Sequence, residues 1–190
     1  MPKNNTAENI IIHVDGVQGS GKSYICKKLR NIKCFDTDDI ATKAFNKIEN
    51  SQKTNKKIPR TLKNLEKISN DLVNNIIKKN NIVVFVGMTI KINNPTYKLF
   101  IKINDLTETF KRFQLRELDK IINNENIIKK AIKEMTPEHN FIHRKSELSW
   151  HFPVGYNEYK KNYNILLKEA KKKGYDTKTQ NEIIEIINYL

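Results

Sequence analysis

Eight residues constrain this chain more than any other stretch. Gly16-Val17-Gln18-Gly19-Ser20-Gly21-Lys22-Ser23 matches the pattern G-x-x-x-x-G-K-[ST] at every fixed position. It follows Asn9 to Asp15 (Asn-Ile-Ile-Ile-His-Val-Asp), an apolar run that reads as a buried strand, and it opens a segment with helical spacing, Tyr24 to Asn31. Glycines let the backbone curl until successive N–H groups point inward, which makes a cradle for a phosphate chain. A helix start adds unpaired donors and a positive dipole end. In such a cradle Lys22 reaches the β- and γ-phosphates and the Ser23 hydroxyl takes a Mg²⁺ position. Three of the chain's six glycines, Gly16, Gly19 and Gly21, lie in this loop.

The rest of the chain alternates short apolar runs with amphipathic ones. Strands are expected at Lys33 to Asp36, Ile82 to Gly87 and Tyr97 to Ile103, the clearest being Ile82-Val83-Val84-Phe85-Val86, stopped by Gly87. Helices are expected from about Asp38 to Asn50, Thr61 to Lys79, Leu106 to Ile122, Glu125 to Met135, Asn157 to Lys173 and Gln180 to Tyr189, with an extended piece at Tyr175-Asp176. Ser51 to Pro59 is polar and aperiodic and reads as a mobile loop. Strands alternating with helices imply an α/β fold built on a largely parallel sheet. At 190 residues one domain suffices, with a small helical lid over about Phe110 to Phe152.

Composition excludes several classes. No apolar run approaches the length that spans a bilayer, and the first residues carry no apolar signal-peptide core, so a cytoplasmic protein without a membrane is expected. Two cysteines, Cys26 and Cys34, make neither a disulfide framework nor a Cys-x-x-Cys metal knuckle. The formal charge of +14 comes from 35 basic residues, 30 of them Lys, against 21 acidic ones. Lys, Asn and Ile, all abundant here, have A/T-rich codons, and the Lys residues are spread evenly rather than gathered in a tail or stripe. A solvated Lys-rich surface is favoured over a nucleic-acid partner, which the charge still allows.

A phosphate loop by itself does not separate GTPases, motors and kinases. No Asp-x-x-Gly precedes any of the six glycines, and Asn46-Lys47-Ile48-Glu49, the nearest base-reading motif, lies inside an expected helix. The strand Val83-Val84-Phe85-Val86 ends in Gly87-Met88-Thr89 and not in an acidic pair, which removes the motor reading. A compact kinase needs a carboxylate cluster after its second strand, and Asp36-Thr37-Asp38-Asp39 stands there. Such a cluster can hold Mg²⁺ through water, accept the proton of an attacking hydroxyl, and cap the following helix, with one of the three carboxylates as the cap and a second for the chemistry. Arg112 and Arg116, four apart on one helix face, can clamp a transferring phosphoryl group, or else Arg112 pairs with Glu108 at the surface.

The remaining candidates are plainer. His13 is expected in the core, Tyr156, Tyr159 and Tyr163 form an apolar helix stripe, and His151 beside Trp150 reads as a packed hinge. His139 and His143 lack a third metal ligand, and Arg144 is a second lid candidate.

These residues resemble the P-loop nucleotide and small-molecule kinases, the group of cytidylate, adenylate and shikimate kinases. Ile12-His13-Val14-Asp15-Gly16 to Ser23 is similar to the start of cytidylate kinases, and Asp36-Thr37-Asp38 resembles the Asp-Ser-Asp of shikimate kinases, which implies Asp36 for Mg²⁺ and Asp38 for the acceptor hydroxyl. Arg112 and Arg116 resemble the Arg-x-x-x-Arg at the start of their lid. The resemblance implies a three-layer fold with sheet order 2-3-1-4-5 and ATP- and Mg²⁺-dependent phosphoryl transfer to a small acceptor such as a nucleotide or nucleoside. Gly87-Met88-Thr89 matches none of the acceptor motifs of these enzymes, so the acceptor stays open. Two other readings remain: a polynucleotide 5′-hydroxyl kinase or similar nucleic-acid-end enzyme, and a non-catalytic NTP-binding module.

Overall fold

The computed structural model describes residues 9–54, 57–123 and 155–190. Five strands, β1 (Ile10–Asp15), β2 (Lys33–Asp36), β3 (Ile82–Val86), β4 (Tyr97–Ile101) and β5 (Asp176–Lys178), form one sheet of order β2-β3-β1-β4-β5. Every neighbouring pair is parallel, as the alternation of strands and helices anticipates. The helices between them are α1 (Lys22–Lys28), α2 (Thr37–Ser51), α3 (Leu62–Ile77), α4 (Leu106–Ile122), α5 (Tyr156–Lys172) and α6 (Gln180–Asn188). Among the described residues no helix is long and apolar enough to cross a membrane.

The described residues fall into two compact units. The first comprises those of Met1–Gly16, Gly21–Lys102 and Leu167–Leu190, and it contains the whole sheet. Strand side chains alternate between its faces. Ile12, Val14, Val84 and Val86 pack on one face with Ile25 of α1 and with Ile183 and Ile187 of α6. Val83 and Phe85 pack on the other with Ile40 of α2 and Val73 of α3. Burial on both faces is why β3 is apolar without interruption.

The second unit comprises the described residues of Val17–Ser20 and Ile103–Leu166. Phe113 of α4 stacks on Tyr159 of α5 with ring centroids 5.8 Å apart, and Phe110 meets both Tyr156 and Tyr159 edge-on or tilted. The backbone N–H of Ile103 donates to the Tyr163 hydroxyl at 3.2 Å. The tyrosine stripe is a packing surface, as its spacing suggests.

Two partnerships carried no sequence signal. The described ends of Ser51 to Pro59 are bonded to each other. The Ser51 hydroxyl accepts the Ile58 N–H at 3.0 Å, and Gln52 Nε2 donates to the Ile58 carbonyl at 2.7 Å, so side chains within the polar stretch close it on itself. Cys26 and Cys34, too few for a framework, are nonetheless joined in a disulfide between α1 and β2, with Cα atoms 5.3 Å apart. Only the fold brings these two positions within bonding range. The expected helix Glu125 to Met135, the lid beyond residue 123, and His139, His143, Arg144 and His151 lie outside the described residues.

Candidate functional site

The glycine loop leaves β1 and runs into α1. Gly19 and Gly21 have φ of +79° and +88°, a region that side chains other than glycine seldom enter. Gly19 is also closely covered: a Cβ there would lie 2.8 Å from the Thr109 carbonyl and 3.0 Å from Phe113 Cβ. At Gly21 a Cβ would meet the Gln180 amide at 1.9 Å. The spacing of the motif therefore answers backbone requirements at these positions. The loop begins with the Gly16 N–H donating to Asp15 Oδ1 at 2.6 Å. Among the described residues Gly21 serves as N-cap of α1 with no side-chain cap bond, whereas α2, α3 and α6 are capped by the side chains of Asp36, Thr61 and Thr179. Lys22 folds back along the loop, and its Nζ donates to the Gly16 carbonyl at 2.5 Å.

On the sheet side of the first unit, Asp36 ends β2 and caps α2, accepting the Asp38 N–H at 2.9 Å. Of the three acidic residues, Asp36 is thus the cap. Burial pushes its carboxyl above the usual range; the Asp38 N–H bond and nearby Lys22 oppose that, while Asp38 and Asp39 reinforce it. Thr37, wholly buried, turns its hydroxyl toward Gly87, where an added Cβ would lie 2.4 Å from Oγ1. Asp38 is exposed, and its Oδ1 accepts a hydrogen bond from the Thr89 hydroxyl. Thr89 also lines a cavity of about 320 Å³ between α2, α3 and the segment after β3. Ala41, Leu62, Leu65 and Ile90 supply its apolar wall, and Glu66, Ser69, Asn70 and Lys91 its polar groups. Sequence reasoning missed Thr89, whose only signal is its place just past the end of a buried strand.

In the second unit, Arg112 donates to the Thr109 hydroxyl at 3.3 Å and does not pair with Glu108. Arg116 holds Glu117 Oε1 through Nε and an Nη at 3.1 and 3.0 Å, and its guanidinium lies 5.6 Å from the Phe113 ring centroid. Glu117 is nearly buried, which the surface-face reading of α4 did not anticipate. The Tyr159 hydroxyl donates to the Gln18 carbonyl at 2.5 Å, tying the tip of the glycine loop to α5. Burial pushes the Tyr159 phenol up to about 12, with Arg116 and Arg112 pulling the other way. The two arginines therefore stand near the loop tip within one unit.

The donor set bears on a divalent ion. Among the described residues no group of three His, Cys, Asp or Glu could hold a metal. Ser23 and Asp36 offer oxygen only, and few of them. That suits Mg²⁺, which keeps several waters and is held by one or two protein oxygens together with substrate phosphates, and it does not suit a resident transition metal. No protein-family model matches the chain, and no curated protein matches it.

Proposed function

We propose that the chain is a P-loop kinase that moves the γ-phosphoryl group of ATP to a hydroxyl or phosphate of a small acceptor, a nucleotide, nucleoside or similar metabolite. The observation that carries this reading is Asp38, an exposed carboxylate bonded to Thr89, which lines a part-apolar cavity in the same unit as Lys22. The loop from Gly16 to Ser23 (Gly16, Val17, Gln18, Gly19, Ser20, Gly21, Lys22, Ser23) would cradle the phosphates, and Lys22 would exchange the Gly16 carbonyl for phosphate oxygens. Ser23 and Asp36 would hold Mg²⁺, which neutralises charge on the phosphates when bound. As the acceptor oxygen bonds to the γ-phosphorus and the bond to the β,γ-bridging oxygen breaks, Asp38 would take the acceptor's proton. Arg112 and Arg116 would stabilise charge on the transferring group, and rate would come mainly from positioning and preorganised charge.

A cytoplasmic location belongs to the same proposal. It requires the Cys26 and Cys34 pair to be reduced there, since disulfides seldom persist in reducing compartments. The test of function is a screen of nucleosides, nucleotides and sugars for transfer of labelled γ-phosphate. Labelling of one acceptor class supports the kinase. Labelling of 5′-hydroxyl oligonucleotides alone supports the nucleic-acid-end enzyme. ATP binding with no labelled product leaves the non-catalytic module.

A further inference from the structure

His13 and Tyr175 stand 162 positions apart and meet inside the first unit. In β1 the side chains of Ile12 and Val14 enter one core, so His13 faces the opposite side of the sheet, where it is 5 % exposed. A buried imidazole is costly unless both nitrogens are bonded. Here Nε2 lies 2.8 Å from the Gly87 carbonyl and Nδ1 2.6 Å from the Tyr175 hydroxyl. A carbonyl can only accept, so Nε2 carries the hydrogen. In the neutral ring Nδ1 must then accept, and Tyr175 donates to it. The partners select one tautomer.

Gly87 is a consequential residue to hold. It leaves β3 with φ +112°, its N–H donates to the Val14 carbonyl at 3.0 Å, and its carbonyl accepts the hydrogen bond from His13 Nε2. Both polar groups of its backbone are thus fixed to β1. Two residues later Thr89 donates to Asp38 and lines the cavity. We propose that His13, oriented by Tyr175, is a positioning residue that sets the Gly87–Thr89 turn and through it the acceptor-side carboxylate Asp38.

Of the charged and titratable groups, Asp15 on β1 acts on the ring, Lys98 on β4 is its register neighbour and Tyr175 before β5 is bonded to it, while Lys22 of α1 and Lys173 beyond α5 act on Asp15, and Asp36 lies beside Gly87. Burial holds the His13 imidazole below its usual range, with the Gly87 bond and Asp15 opposing, and burial together with Asp15 pushes the Tyr175 phenol up to about 12. Near neutral pH the ring is uncharged and the phenol keeps its proton, as the relay requires.

The role of the turn at Asp38 rests on the kinase reading, but the relay itself can be tested without turnover. Nitrogen-15 NMR of the His13 ring should show neutral imidazole protonated at Nε2, and Tyr175→Phe should shift Nδ1 while leaving Nε2 protonated. Amide hydrogen exchange at Gly87 should speed up at least about tenfold in His13→Leu, with Val84 and Val86 of the same strand unchanged. His13→Gln, whose amide nitrogen can still donate to the Gly87 carbonyl, should restore slow exchange. Tyr175→Phe, a milder change that keeps the fold if His13→Leu does not, should raise Gly87 exchange by a smaller factor. An Nδ1–H tautomer, or equal acceleration at Gly87, Val84 and Val86, would overturn the proposal. Binding of a non-hydrolysable ATP analogue should be unchanged in all three variants. Absence of that binding in the parent protein would instead count against the kinase reading, with the exchange data standing.

Discussion

Replacing Gly87 with alanine tests whether the end of β3 is as tightly specified as its geometry implies. Two costs can be separated. The backbone at φ +112° is a region that only glycine occupies without strain, and forcing an L side chain into it costs about 1–3 kcal/mol. The new methyl would also lie 2.4 Å from Thr37 Oγ1, a side chain buried completely at the first turn of α2, so the contact cannot be relieved by swinging into solvent. Overpacking of that kind costs about 1–3 kcal/mol more. Together the loss is about 2–6 kcal/mol, or roughly 4–24 °C in melting temperature for a chain of this size. Thr37→Ala separates the two. Among the described residues its hydroxyl meets no hydrogen-bond partner, so removing it sacrifices little beyond a methyl group. In the Gly87→Ala/Thr37→Ala double variant the steric share should vanish and the backbone share remain, a coupling of about 1–3 kcal/mol. Urea unfolding followed by far-UV circular dichroism, with slopes compared across the four proteins, reads the cycle. If Gly87→Ala lies within about 0.5 kcal/mol of the parent, or if the two changes simply add, the argument about this turn is wrong.

Other outcomes follow from the same coordinates. Lys22→Ala should weaken both ATP-analogue binding and turnover, whereas Asp38→Asn should leave binding nearly intact and cut turnover on the order of 10²–10⁴-fold, read by calorimetry beside a transfer assay. Unchanged turnover in Asp38→Asn would move the base to Asp39, since Asp36 is committed to the helix cap. Arg116→Ala should lose turnover and also about 0.5–1 kcal/mol of stability, because it removes two hydrogen bonds to the nearly buried Glu117, a figure kept small because Arg116 is about half exposed. An Arg116→Ala variant that loses stability but keeps full turnover would make Arg116 purely structural. Reducing the Cys26–Cys34 bond, which closes a separation of 8 residues, should cost about 2.5 kcal/mol on the chain-entropy model. A Cys26→Ser/Cys34→Ser variant unfolding at the same urea concentration with and without reductant, and matching the oxidised parent, would refute this.

The parts of the molecule that rest on local rules were legible before any coordinates. The apolar run Ile82 to Val86 reads as a doubly buried strand because parallel sheets bury both faces, and the glycines at 16, 19 and 21 read as a curled loop, a path that at Gly19 and Gly21 few other residues can follow. The resemblance supplied the sheet order, and the structure bears it out. Side-chain partnerships across long separations carried no such signature. Nothing near Cys26 announces Cys34, and nothing near His13 announces Tyr175 or Gly87. Likewise Asp36, Asp38 and Asp39 are equivalent as letters. Folding makes Asp36 a cap and gives Asp38 to Thr89, 51 positions away. Arg116 could have faced solvent at helical spacing, yet it is taken by the adjacent Glu117, which packing holds almost buried. Periodicity and glycine placement express what each segment does with its own backbone, and they are therefore written locally. Hydrogen-bond pairing and burial depend on which segments the sheet brings side by side, so only the tertiary structure decides them.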